Sequence, residues 1–357
     1  MATVAEDITS ITQVESGMMV SRLVARTLCA FTLVLIFMGA LVKSHEAGLS
    51  VPDWPTTYGY NMFMFPPSEW RANVFYEHTH RLVASLVGII TLFLFCWVAL
   101  HDRRNSIRWF AFAALAVVAL QGVLGGLTVL YLLPAYLSVA HGVLAQSYLL
   151  LIVFLARIFS ANVAPQWGSV FKPDTERTAH WAIGLTVVVW IQLLLGAIVR
   201  HTESGLAIPD FPAMGGQWLP MFDDAMLSRI NEWRLDQTLS SNAFLPDVSM
   251  EQVAIHAIHR FWALVVLAAY AGLLRKIWKC RPSNLKFKKA ALGIGILIAI
   301  QIALGAFTIT TQRLPLVASL HVLTGAVLLA ASWYYALEAI QLPSYFGHEK
   351  SRAVLTE

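Results

Sequence analysis

Four histidines stand where histidine is costly. His80, His141, His259 and His321 each lie in or at the edge of a long apolar run. An ionised side chain at the centre of a bilayer costs ~2.5–3.5 kcal/mol even on the mildest insertion scale, so such residues are functional suspects. Imidazole binds metals in its neutral form. Two neutral imidazoles facing each other across a helical bundle meet the requirement for axial ligation of a porphyrin iron. A single buried histidine bonded to a carbonyl or hydroxyl carries no such meaning, and a zinc or copper site is the other alternative. The acid and thiol ligands that accompany zinc or copper are sparse here. Four imidazoles in two matched pairs point to two haem sites.

The neighbours of these histidines differ between the pairs. Glu77 precedes His80 by three residues, on the same helix face; the matching residue before His259 is His256. A carboxylate in one half only suggests that one site reacts while its twin carries electrons. Near a haem edge, Glu77 could accept a proton or stabilise positive charge. Its structural alternative is an acid favoured at a helix N-terminus by the macrodipole. Arg81 and Arg260 directly follow the histidines. They suit pairing with haem propionates, or snorkelling to the interface. His45, His78, His201 and His256 are expected at the surface. Gly122, Gly125, Gly126 and Gly305 read as places of close helix approach, and Trp54, Trp70 and Trp218 as an interfacial belt.

The elements that position these residues follow from composition. Of the 357 residues, 57% are hydrophobic and 13% charged, with a mean hydropathy of +0.64. A soluble chain would carry about 25% charged residues. A cytosolic globular enzyme, a disordered chain and a disulfide-stapled module are therefore excluded, and no nucleic-acid partner is expected. Apolar runs at 23–42, 79–100, 108–130, 135–156, 179–199, 253–274, 290–310 and 315–340 each approach the ~20 residues that a transmembrane helix needs.

Basic residues set the orientation. Arg103, Arg104, Arg108, Arg157, Lys172, Arg177 and the Lys/Arg-rich stretch 275–289 fall on one side. The long loops on the other side, about 43–77 and 200–252, are poorer in Lys and Arg for their length. The positive-inside rule makes both termini cytoplasmic and the long loops periplasmic, with all four histidines in the first turns of their spans toward that side. Residues 1–21 contain acids but no Lys or Arg. They read as a short cytoplasmic tail rather than a signal or transit peptide, as in a bacterial inner-membrane protein. Cys29, Cys96 and Cys280 form no CxxC pair, which argues against a disulfide framework or a cysteine metal site.

The chain repeats itself. GALVKSHEAGLSVPDWP (39–55) returns as GAIVRHTESGLAIPDFP (196–212), EHTHR (77–81) as HAIHR (256–260), and QGVLGGLT (121–128) as QIALGAFT (301–308). Repeats fix architecture. The expected fold is an all-α polytopic membrane protein. Its eight transmembrane helices form two pseudo-twofold-related four-helix bundles, residues 22–160 and 177–340, in one common orientation. The second outer loop carries about 22 extra residues. Within them, 222–239 reads equally as a surface helix, with Met226, Ile230 and Trp233 at helical spacing and Asp223 as its cap, or as a polar loop.

EHTHR, GLSVPDWP, HGVLAQS, IHRFWA and HVLTGA, in that arrangement on an eight-span repeat, resemble the haem A synthase family from about residue 22 to 340. The resemblance implies oxidation of the C8 methyl of haem O to a formyl group, giving haem A for cytochrome oxidase. It implies a haem b cofactor between His259 and His321 in the C-terminal half. It implies that the substrate haem O lies near His80 and His141, with Glu77 as the acid required for turnover. Haem O synthase is the implied upstream partner, and a homo-oligomer is implied as well. The electron acceptor is unknown. Outer loop one holds no cysteine pair, so the chain looks like the cysteine-free proteobacterial or mitochondrial branch. The substrate's farnesyl tail suits lateral entry from membrane lipid. Two other classes fit less well. A transmembrane b-type di-haem electron carrier would place its ligands at two depths, and a parallel-repeat transporter would show broken helices.

Overall fold

A computed structural model describes residues 2–160, 173–241, 245–280 and 285–340, and the side chains of 17–160, 178–239, 245–279 and 285–340. Its helices are α1 (Ala2–Ser44), α2 (Ala72–His101), α3 (Asn105–Leu130), α4 (Ala135–Ser160), α5 (Pro173–His201), α6 (Asp224–Ser241), α7 (Met250–Cys280), α8 (Leu285–Thr310) and α9 (Pro315–Ile340). Among the described residues, 8 helices are long and apolar enough to cross a membrane: all of these except α6. A helix satisfies its own backbone groups in lipid, which is why each apolar run takes this form. Among the described residues no β-strand forms, only the isolated bridges Thr57–Tyr60 and Met214–Gln217.

Most helices extend a few residues past their apolar runs, and two of these extensions change the reading. The second span starts at Ala72 rather than 79, because the polar turn Glu77–His80 belongs to the helix yet breaks the apolar run. The N-terminal stretch expected as a tail is helical from Ala2 and continuous with the first span.

Helices α1 to α4 pack on one another, as do α5, α7, α8 and α9; α1 lies along α9, and α4 along α5 and α9. One buried cluster, including Leu28, Leu94, Ile107 and Ile152, belongs to the first group. A second, including Leu185, Leu273, Ile294 and Leu329, belongs to the second group. Ile36, Leu149, Val153, Ala326 and Leu337 fill the seam between them. In lipid such contacts hold helices by close packing rather than by expelling water. Two indoles also bond across the seam. Trp190 Nε1 donates to Ser147 Oγ at 3.2 Å and Trp333 Nε1 to the Leu150 carbonyl at 3.0 Å.

The two long loops, 45–71 and 202–249, lie at the same end, the loop end. The extra residues of the second loop form a helix. Asp223 Oδ1 accepts the Met226 N–H at 2.7 Å, which caps an otherwise unpaired first turn. Met226 and Ile230 are fully buried, and Arg234 donates to the Leu206 and Pro246 carbonyls at 2.9 and 2.7 Å. Thus α6 is fastened across loop two.

Candidate functional site

Each of the four histidines is seated on a glycine of the neighbouring helix. His80 on α2 faces Gly39 on α1, and His141 on α4 faces Gly125 on α3. His259 on α7 faces Gly196 on α5, and His321 on α9 faces Gly305 on α8. A Cβ at these glycines would lie 3.0–3.2 Å from the ring Cε1, closer than side-chain contacts normally allow. Any side chain there would push the imidazole edge off the next helix by a few tenths of an ångström.

Nδ1 of all four rings is buried, and the rings of His80, His141 and His321 lie against main chain one turn before the seating glycine, at Leu35, Gln121 and Gln301. Such anchoring through Nδ1 leaves Nε2 as the nitrogen a metal can take. His80 and His141 are close enough to interact electrostatically, as are His259 and His321. The structure therefore groups the histidines as two pairs, one in each half. Among the described residues, no cluster of three or more His, Cys, Asp or Glu could hold a metal ion. A porphyrin iron needs only two axial imidazoles, so the donor set fits haem better than a bare ion.

The second pair has extra support. Gln192 Nε2 donates to the His259 carbonyl at 3.1 Å and lies 3.4 Å from His259 Nε2. Gln301 Nε2 donates to the His321 carbonyl at 3.0 Å and lies 3.5 Å from its Nε2. By the repeat, Gln121 matches Gln301, but Leu35 stands where the second half has Gln192.

Beside each pair, the loop folds back onto the histidine-bearing helix through one recurring network. In the first half, Glu77 Oε2 accepts the Val51 N–H at 2.8 Å, and Glu77 Oε1 accepts from Arg81 Nη2 at 2.6 Å. Arg81 also donates to the carbonyls of Val51 (2.8 Å), Asp53 (2.7 Å) and Thr56 (3.1 Å). In the second half, His256 Nδ1 faces the Ile208 N–H at 3.2 Å and its Nε2 faces Arg260 Nε at 3.2 Å. Arg260 donates to the Ile208 and Ala213 carbonyls at 2.9 and 3.0 Å. The carboxylates of Asp53 and Asp210 each take two consecutive backbone N–H groups in matching turns. At Asp53, burial works against ionisation. Bonds from Gly59, Thr56 and Tyr58 outweigh it and hold the carboxyl below its ordinary range.

These contacts redraw several expectations. Arg81 and Arg260 clamp loop backbone, and neither snorkels to the interface. His78 and His256 are buried, not surface residues. His78 lies under Trp70 and Phe65, ring centroids 4.6 and 5.1 Å away, with Thr57 Oγ1 3.3 Å from its Nδ1. His45 is half-buried and stacks on Tyr76 at 4.1 Å. Gly126 makes room for the Trp54 indole, while a Cβ at Gly122 would meet nothing within 4 Å. Sequence reasoning missed Gln192. Its signal was a polar residue at helical spacing from Gly196, inside an apolar run.

A profile of the COX15-CtaA family, cytochrome oxidase assembly protein, matches residues 22–333. A protein named Heme A synthase from Sphingopyxis alaskensis is 26% identical over 343 residues, covering 86% of this chain and 89% of its own. Proteins of the same name from Rickettsia bellii (23% over 346 residues, 87% and 96% covered) and a Caulobacter species (25% over 335 residues, 85% and 91% covered) are similar along nearly their whole length.

Proposed function

The chain belongs to the COX15-CtaA family of cytochrome oxidase assembly proteins, and from that premise we propose that it is a haem A synthase. It oxidises the C8 methyl of haem O to a formyl group, making haem A for cytochrome oxidase. The observation that carries this reading is the unequal duplication: two histidine pairs on one glycine-seated design, with a buried carboxylate beside only the first.

In this reading His80 and His141 hold the substrate haem O in the N-terminal bundle, 22–160. His259 and His321 hold haem b in the C-terminal bundle, 177–340. The haem b, when bound, supplies one-electron redox chemistry. The glycine seats and the main-chain anchors of the rings support that fit. The substrate methyl would be oxidised in two two-electron steps, through an alcohol and then a gem-diol that loses water. Each step takes up one water oxygen, releases two protons to solvent and passes two electrons to an acceptor outside the chain. Glu77 is one helical turn from His80, and its carboxylate is fixed by Val51 and Arg81. A preorganised negative charge there favours the cation that develops as the methyl is oxidised. Loop one is clamped by Arg81 beside that site.

The distribution of Lys and Arg supports a multi-pass bacterial inner-membrane protein with cytoplasmic termini and both sites toward the periplasm. Haem O synthase supplies the substrate, which enters from lipid. The test is expression with haem O synthase in a host lacking haem A, followed by chromatography and mass analysis of extracted haems. Haem A or its alcohol precursor is expected. Haem B alone, with haem O untouched, would instead favour a b-type electron carrier.

A further inference from the structure

We propose that Arg200 and Lys43 receive the carboxylates of the two porphyrins, Arg200 at the His259–His321 pair and Lys43 at the His80–His141 pair. The inference rests on the haem reading of those pairs. A porphyrin presents both carboxylates at one edge, and that edge must meet cations or water.

Arg81 and Arg260 stand beside the ligands in sequence, but their donors are committed to loop carbonyls and to Glu77 or His256. Releasing them would free the loops. Arg200 and Lys43 are the repeat-matched cations of GAIVR and GALVK. Each follows by four residues the glycine that seats a histidine, Gly196 under His259 and Gly39 under His80. Four residues are about one turn, ~6 Å toward the loop end on the same helix face. The backbone of each cation therefore lies one turn nearer the loop end than the glycine that seats a histidine ring.

Charge points the same way. Arg200 uses one nitrogen, Nη2, for two neutral acceptors, the Ala40 carbonyl (2.5 Å) and Ser44 Oγ (2.8 Å), and it lies within electrostatic reach of His321. The acid that Arg200 senses is Glu203, which is half exposed and already pairs with Lys43 and Arg313. Three cations around one carboxylate leave positive charge at the seam, and half-buried unpaired charge seeks an anion. The residue types match the two duties. Guanidinium offers a planar fork for a retained carboxylate, whereas ammonium, shared with Glu203, offers a point charge that a departing carboxylate can leave.

The test uses the purified, haem b-loaded protein, comparing wild type with Arg200→Gln, Arg200→Lys and Arg260→Gln. Two quantities are read on these, the rate of haem loss to an apoprotein scavenger and the midpoint potential. A third, the KM for haem O, is read on Lys43→Gln, where a wild-type KM would overturn the assignment of Lys43. Arg200→Gln should lose haem roughly tenfold faster and shift to lower potential, because a cation beside the haem is gone. Arg200→Lys should keep most of the potential while releasing haem faster than wild type. Lys43→Gln should raise the KM for haem O and leave the retained haem b unchanged. Wild-type release and potential in Arg200→Gln would overturn the proposal, as would a larger potential shift in Arg260→Gln. A wild-type protein unable to hold any haem b would overturn the functional reading itself, and this inference with it.

Discussion

The two halves share a histidine geometry and differ in what surrounds it. Around His80 and His141 the neighbours are Leu35, Lys43 and a loop held by a carboxylate, Glu77. Around His259 and His321 they are Gln192, Gln301 and Arg200, with a loop held by an imidazole, His256, and braced by α6. The difference lies in strength and number of polar contacts. A carboxylate accepts from both Val51 and Arg81 at once. A neutral imidazole carries one proton, so His256 can accept from Ile208 or Arg260 but not fully from both. The second half makes up for its weaker latch with α6 and with Gln192, which grips the His259 carbonyl where the first half has Leu35. A duplicated scaffold can thus be tuned toward retention in one half and toward chemistry and exchange in the other without altering the ligands.

The largest expected effect comes from breaking the latch. Glu77→Ala leaves Arg81 buried without its counter-charge and removes the carboxylate beside His80. Haem A formation should fall on the order of 100-fold or more, with haem b content unchanged. His256→Ala removes a neutral acceptor and should cost less than about tenfold. Both are read by quantifying extracted haems. Equal losses in the two variants would erase the proposed distinction between the halves.

The glutamines sharpen the comparison at a smaller scale. Gln192→Leu removes the donor to the His259 carbonyl and should speed haem b loss by about fivefold, the worth of one hydrogen bond. The converse change, Leu35→Gln, should make the first half hold its haem longer, so that more haem A copurifies with the protein. Unchanged haem content in both variants would mean that retention is set elsewhere.

The smallest effect concerns the seam. Burial raises the Glu203 carboxyl, but Lys43 and Arg313 outweigh it and hold it below its ordinary range. Its contribution to stability is therefore complete above the unfolded value, ~4.3, and is lost as pH falls through the folded one. Because Glu203 is half exposed, Glu203→Gln should change stability by less than about 1 kcal/mol. Thermal unfolding at neutral and acid pH checks this, the variant differing from wild type only at the higher pH.

Much of this architecture was legible in the residues. Hydropathy located every span, and the repeated strings matched His80 with His259 and His141 with His321. Met226, Ile230 and Trp233 were compatible with the helix α6 and equally with a polar loop. What stayed hidden depends on loop backbone. Arg81 and Arg260 looked suited to propionates because their clamp partners are main-chain carbonyls, which carry no sequence signal. His78 and His256 read as surface residues because nothing in the sequence shows that loop one folds back over His78 and loop two over His256. The glycines of the repeat read as helix contacts. That Gly125 and Gly305 seat imidazoles emerges only when the neighbouring helices are seen side by side.

The central claim is the division of labour between the two histidine pairs. It is tested most directly by measuring haem b bound per protein in His259→Ala and His80→Ala, purified from cells that make haem b but no haem O. The account predicts that His259→Ala loses its haem b and His80→Ala keeps it at the wild-type level. Loss of haem b from His80→Ala, with His259→Ala still loaded, would contradict it.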